Sequence, residues 1–269
     1  FTVNFKGKKG TKQYSSYVER ALRRLGYKTM HQIVDMSEYG VPQNRKRFIL
    51  VAMRDYFPKD VFETLARNKD AFCLSKGISC TTSIKDAISD LEQANGSMPS
   101  PDTKGFMAGI YGPEQSGYQR LMRSGIETTG LIADSHRFVN HRKNTIKLHK
   151  ELLEKAPVGK RITPSDNIVE NLNRRGVTVL DANAQAPTVT SIPDELVHYK
   201  EPRILTVREH ARIQSFPDWF EFKGQYTSGG KRRKQEVPRY TQVGNAVPPL
   251  FAEQVGLAIL EVLSHEQPK

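Results

Sequence analysis

The stretch Gln242-Val243-Gly244-Asn245-Ala246-Val247-Pro248-Pro249 stands where a polar region gives way to the apolar C-terminal run. It reads as a tight turn into a helix. Gly244 lets another backbone come close, and the prolines open the helix that follows. On that helix Leu250, Phe251, Val255, Ala258, Ile259 and Val262 fall on one side. Upstream lies a second block, Arg203-Ile-Leu-Thr-Val-Arg-Glu-His-Ala-Arg-Ile-Gln-Ser-Phe-Pro-Asp218. In it Thr206-Val-Arg-Glu209 is a capping box, so a helix starts after Thr206, runs to about Ser215 and stops before Pro217. A third block is Tyr39-Gly-Val-Pro-Gln43-Asn-Arg45-Lys-Arg47. Alternation in an extended segment points Gln43, Arg45 and Arg47 the same way. Two guanidiniums on one side make a fork for phosphate and carbonyl oxygens; a solvated basic strand end is the plainer alternative.

Taken together and in chain order, the three blocks resemble motifs VIII, IX and X of the DNA (cytosine-5) methyltransferases. The resemblance implies a set of roles. Arg47 holds the carbonyl of the flipped target cytosine, Arg45 contacts phosphate or braces the catalytic loop, and Gln43 lies at the DNA. The block at 203–218 organises the base of a target recognition domain, with Arg208 and Arg212 as scaffold. The turn at 242–249 packs against an S-adenosylmethionine pocket through Asn245, Ala246 and Val247. Some members carry Ser where Ala246 stands, so only the backbone of Ala246 remains to serve. Ala186-Pro187-Thr188-Val189-Thr190 resembles the Thr-Leu/Ile/Val pair of family recognition domains, which makes Thr188 and Val189 candidate base contacts, beside their plain reading as strand formers. Arg142 and Lys143, in Asn140-His141-Arg142-Lys143, form a further patch that could meet DNA.

The family's chemistry explains why arginine is wanted. A cysteine thiolate adds to C6 of cytosine, C5 then takes the methyl group, and negative charge builds on the ring. A guanidinium fixed at the O2 edge stabilises that charge without losing its own proton. The base must first leave the stack, because no side chain reaches C6 within the duplex.

The family's Pro-Cys-Gln nucleophile, Glu-Asn-Val acid and Gly-rich cofactor loop are not among these 269 residues. Cys73 and Cys80 are the two cysteines; neither follows a proline or precedes a glutamine. Their spacing fits no zinc knuckle or redox motif, so both are expected as free or buried thiols. Phe1 in place of an initiating Met points to a piece of a longer polypeptide. The expectation is therefore the DNA-recognition half of a DNA cytosine-5 methyltransferase, belonging to a restriction-modification system. It binds double-stranded DNA and is inactive without an N-terminal catalytic half. A stand-alone sequence-specific DNA-binding module is the alternative, and an RNA methyltransferase of the same superfamily a third reading.

Charge agrees with a polyanionic partner: 41 Lys and Arg against 29 Asp and Glu give a net charge of +12. Basic clusters lie at 6–9, 45–47, 137–150 and 231–234. None is paired with an exposed aromatic face, which favours nucleic acid over a membrane surface. The apolar run at 48–53 is too short to span a bilayer, and the expected location is the bacterial cytoplasm, near the nucleoid. His141 and His149, beside lysines, are read as solvated or phosphate-facing rather than as metal ligands.

The fold class expected is α/β. The chain forms the C-terminal part of a parallel-sheet S-adenosylmethionine-dependent methyltransferase domain plus an irregular, loop-rich target recognition domain. A helix is predicted over 13–26, stopped by Gly26, then strands over 27–36 and 47–53, the latter buried. Residues 56–200 read as irregular, with helices near 84–91 and 145–156. The division is 1–55, the end of the catalytic domain; 56–240, the recognition domain with its 206–215 helix; and 241–269, a helix returning to the catalytic domain.

Overall fold

The computed structural model describes residues 4–7, 10–127, 131–170, 172, 176–226 and 236–265. The basic cluster at 231–234 lies outside the described residues. Strands β1 (Asn4–Gly7) and β2 (Gly10–Gln13) form a short hairpin that leads into helix α1 (Tyr14–Arg24). Gly26, at φ +85, ends that helix in a conformation open to glycine. The helix is shallowly seated: Val18, Ala21 and Leu22 are half-buried, while Tyr14, Tyr17 and Leu25 are exposed.

Strands β3 (Lys28–Asp35) and β4 (Lys46–Met53) pair along their full length, from Lys28 opposite Met53 to Asp35 opposite Lys46. They are antiparallel. The connection at 36–45 turns back on itself instead of crossing over through a helix, which fixes this pairing as antiparallel. Against expectation, β4 is not buried: its residues after Lys46 are all half-exposed. Helix α2 (Pro58–Ser75) lies across the hairpin and buries Val61, Phe62 and Leu65. The sequence pattern over 56–200 leads one to expect irregular structure before residue 84, and this 18-residue helix corrects that expectation. Pro58 in its first turn starts it.

The middle of the chain is built from short pieces. Helix α3 (Ile84–Ile88) carries a capping box between Ser83 and Asp86. Strands β5 (Ser97–Pro99), β6 (Met107–Ile110) and β7 (Ile132–Arg137) make an antiparallel sheet, with α4 (Gly117–Arg123) between β6 and β7. Helix α5 (Lys143–Lys155) covers β8 (Arg161–Ile162), β9 (Val177–Val179) and β10 (Leu196–Val197). Leu152, Ile162, Leu172, Val177, Val179 and Val197 make a small core of their own there. Among the described residues, β9 with β10 is the one parallel strand pair.

Order returns at α6 (Val207–Ile213), where the predicted capping box is present: Glu209 N donates to Thr206 Oγ1 and Thr206 N to Glu209 Oε2. The helix ends at Ile213, two residues before the expected stop, and Ser215 takes φ +60. That places its hydroxyl to accept from Leu250 N at 3.1 Å. Helices α7 (Arg239–Asn245) and α8 (Pro249–His265) finish the chain. As predicted, Leu250, Phe251, Ala258 and Val262 face the main core, with Val255 and Ile259 half-buried beside them.

Residues 239–264 are long and apolar enough, at mean hydropathy 1.5, to cross a membrane by length and composition alone. In the fold one face of them packs on the core, and side chains of α8 tie it to the rest of the protein. Glu261 of α8 pairs with Arg67 of α2 and Glu253 with Lys76 just past the end of α2, and Gln254 donates from inside the protein to Tyr39 O.

Candidate functional site

Three segments far apart in sequence meet at one buried junction. The loop before β4 runs beside residues 186–189: Ala186 N donates to Pro42 O at 3.0 Å and Asn44 N to Ala186 O at 2.8 Å. Gln43 is fully buried between this pair and α6. Its Oε1 accepts from Val189 N at 2.8 Å, and its Nε2 donates to Gln214 Oε1 at 3.1 Å. Gln214 in turn donates to Val243 O at 2.9 Å, which brings in α7.

Arg45, 5% exposed, closes the arrangement. One end of its fork, Nη1, donates to Val189 O at 3.2 Å, and the other, Nη2, to Gly244 O and Ala246 O, both at 3.2 Å. Burial, and then repulsion from Arg47, lower its pKa to about 10, still well inside the charged range at neutral pH. At Gly244 a Cβ would lie 2.5 Å from the backbone of Thr190. The close approach expected of this glycine is real, and its partner is the backbone at Thr190 and Ser191. The residues before it are helical, however: 242–245 are the last turn of α7 rather than a turn into the next helix.

Beneath the junction, α6 anchors a network of buried charge. Arg203 makes a two-pronged pair with Glu209, at 2.8 and 2.7 Å. Burial alone would raise Glu209, but the Arg203 charge outweighs it and holds the carboxyl far below its usual range. Arg212, fully buried, binds Asp218 through two bonds of 2.6 Å and Asp90 at 3.1 Å. Asp218 is held low by Arg212 against its burial, whereas burial wins at Asp90 and raises it. Arg208 reaches Asp134 Oδ2 at 3.0 Å and Phe220 O at 2.6 Å. These arginines are scaffold, fully enclosed.

The sequence-predicted site residues therefore separate. Gln43, Arg45, Val189 and Ala246 come together, but inward. Gln43 and Val189 are buried with their polar groups paired, so neither presents a surface to DNA, and both expected contacts are corrected. Thr188 is half-exposed, and its hydroxyl donates to Asn44 O at 2.7 Å. The Ala246 backbone is engaged at both ends, its N–H on Val243 O and its carbonyl on Arg45. That leaves little for a cofactor. Asn245 is exposed and Val247 is 58% exposed beside it. Arg47 is half-exposed, its Nη1 donating to Lys46 O. Arg142 and Lys143 stand exposed at the start of α5; no recorded hydrogen bond or ion pair among the described residues ties them to the junction.

Sequence reasoning gave no role to Gln214, although it lies within the quoted block. A glutamine carries no hydrophobic signature, and its side-chain bridge between Gln43 and Val243 appears only in the fold. The histidine reading is also corrected. His149 is buried rather than solvated, its ring 5.0 Å from that of half-exposed His141, and the two pack against residues 202–204 through Pro202 O and Ile204 N. Cys73 and Cys80 are free thiols. Burial is the main cause that raises both, Cys80 strongly, so neither supplies a thiolate near neutral pH.

The sequence model of C-5 cytosine-specific DNA methylases matches residues 5–261. The type II methyltransferase M.XorII of Xanthomonas oryzae pv. oryzae is 27% identical over 276 residues, covering 96% of this chain and 57% of that protein. The type II methyltransferase M.AquIB of Picosynechococcus is 39% identical over 132 residues, covering 48% of this chain and 88% of that protein. Against M.XorII and other relatives matched along most of its length, the chain spans about half of their length. A crystal structure assigned as a DNA modification methyltransferase encoded within an Escherichia coli prophage has the same fold. It superposes with a TM-score of 0.56 at 21% identity, over 93% of this chain and 66% of that one. The junction of the three blocks and the match over nearly all of its residues agree: the chain belongs to the C-5 cytosine-specific DNA methylase family.

Proposed function

We propose that this chain is the DNA-recognition and base-holding part of a DNA cytosine-5 methyltransferase of a restriction-modification system. It corresponds to the C-terminal portion of such an enzyme and draws its nucleophile from outside these 269 residues. The observation that carries the reading is the junction itself. It buries Gln43 and Arg45 while leaving Arg47, Asn245 and Val247 at its surface. Arg47 is the guanidinium left for the O2 edge of an extruded cytosine, where it stabilises charge as the ring is attacked. Asn245 and Val247 offer one polar and one apolar group on a turn that Arg45 holds still. They fit one wall of a cofactor site rather than a whole pocket. S-adenosylmethionine, when bound there, supplies the methyl group.

Arg142 and Lys143 meet the phosphate backbone in this reading, and Thr188 is the candidate base contact left in its segment. Residues 1–55 and 241–269 belong to the catalytic side, and α2 joins them because it packs on β3, β4 and α8. The rest of 56–240 forms the recognition side. With both thiols raised, methyl transfer waits on a thiolate from a catalytic half, covalently joined or separate.

The test adds the portion of M.XorII that this chain does not match, together with tritiated S-adenosylmethionine and duplex DNA. Incorporation of label into cytosine is expected from the mixture and not from the chain alone. Absence of label, together with no binding of duplex DNA by the chain at low salt, removes the reading.

A further inference from the structure

We propose that Arg45 is a positioning residue: its fork fixes the turn at 244–247 against the recognition segment at 186–189, and it does not itself meet nucleic acid. The functional half of this rests on the reading above, in which the turn faces the cofactor and the segment faces DNA. The clasp stands on geometry alone.

Each end of the guanidinium serves one segment. Nη1 holds Val189 O, 144 residues away in sequence, and Nη2 holds Gly244 O and Ala246 O, 199 and 201 residues away. Gln43 Oε1 lies 3.4 Å from the same Nη1 and also takes Val189 N, so the fork is aimed by a side chain that is itself buried. If Arg45 swung out to a phosphate, it would leave three backbone carbonyls without this donor. Such groups are costly to strand in an interior. A lysine could not replace it, since one ammonium cannot span two segments that a planar fork reaches from opposite ends. On the Gly244 side the two backbones already touch Cβ-free. A shift of one segment is thus passed to the other without slack. The two arginines of Gln43-Asn-Arg45-Lys-Arg47 divide the work: Arg45 ties the protein together, and Arg47 is left for the polyanion.

Hydrogen exchange and DNA binding by the chain itself test this, with a random-sequence duplex as the probe. In Arg45→Lys, exchange at 186–191 and at 243–247 should rise together by about tenfold or more, while α2 and α6 keep their protection. Adding duplex should slow both segments in the parent chain but only 186–191 in Arg45→Lys, a coupling that a local packing role would not produce. Arg47→Gln should lower the slope of log affinity against log salt by about one and leave exchange unchanged. A rise in one segment only, or in neither, overturns the proposal. So does a slope lowered by about one in Arg45→Gln with exchange unaltered, because that marks a phosphate contact.

If Arg45→Lys unfolds, the parent chain decides. Distinct Nη resonances for Arg45 that persist when duplex is added support the clasp, and averaged ones overturn it. If the chain binds no DNA, the functional reading above falls, while exchange in the free protein still decides whether Arg45 joins the two segments.

Discussion

Helix α6 and the β3–β4 hairpin invert the usual relation between polarity and burial. Every residue of α6 is buried, although Arg208, Glu209, His210 and Arg212 are among them. In the hairpin, apolar Ile33 is 67% exposed and β4 is half-exposed throughout. What decides burial here is the supply of partners. The α6 arginines, Arg208 and Arg212, are enclosed because Asp218, Asp90 and Asp134 are delivered to them by other segments, and the helix's own Glu209 is met by Arg203 from the segment before it. The hairpin has α1 and α2 against it and no further described strand along its edges. The helix is where the chain completes itself; the hairpin is where it does not.

The sharpest way to break that contrast is to remove one charge from the enclosed network. Asp218→Ala takes from buried Arg212 its two 2.6 Å bonds and leaves Asp90 as its remaining carboxylate partner. It should cost about 3–5 kcal/mol of unfolding free energy, as removal of one partner of a buried pair does. Urea denaturation measures it, and a loss below about 1 kcal/mol would mean that Asp90 alone satisfies Arg212.

Acid tests the same region through its histidines. Burial lowers His136 to about 4 and His198 to about 3, from 6.5. In the unfolded chain both take up protons below pH 6.5, while in the folded one they stay neutral. Stability contributed by their neutrality is therefore fully present above pH 6.5 and is lost as pH falls toward 4. The slope approaches about 1.4 kcal/mol per pH unit for each histidine. Unfolding at pH 7 and pH 5.5 should differ by about 2 kcal/mol, and His198→Gln should shrink that difference. A flat profile over this range would mean the rings are hydrated.

A smaller effect is expected at the helix start. Thr206→Ala removes the cap on Glu209 N and the hydroxyl that His136 Nδ1 faces at 2.8 Å. About 1 kcal/mol should be lost, with α6 exchange rising from its first turn. An unchanged first turn would show that packing alone holds the helix start.

Much of this was legible in the sequence where local chemistry decides the outcome. The Thr206–Glu209 capping box, the stop at Gly26 and the α8 face all follow from neighbours within a turn of one another. What was not legible depends on distant partners. Alternation shows that Gln43 and Arg45 share a side, but not that this side is an interior one closed by residues 144 to 201 positions away. Helix α2 escaped because Arg67, Asn68, Lys69 and Asp70 interrupt its apolar rhythm. Those same residues include its ties to the rest of the fold: Arg67 and Asn68 hold Glu261, and Lys69 holds Glu38. The site showed the same limit: the motifs located it, while the direction each side chain takes came from packing.

The smallest expected effect lies at Ile33, next to buried Val34 on the opposite face of β3. Ile33→Lys removes an apolar group that touches solvent and places a charge where no buried partner is disturbed. Unfolding free energy should therefore move by less than about 0.5 kcal/mol. A loss above about 1 kcal/mol would show that this face is covered in solution. Sedimentation velocity would then separate the two routes to such cover. If Ile33→Lys converts a faster species to the monomer, copies of the chain shield each other's hairpins. If the parent chain is already monomeric, the β3 face packs within the molecule, and the contrast between hairpin and α6 narrows accordingly.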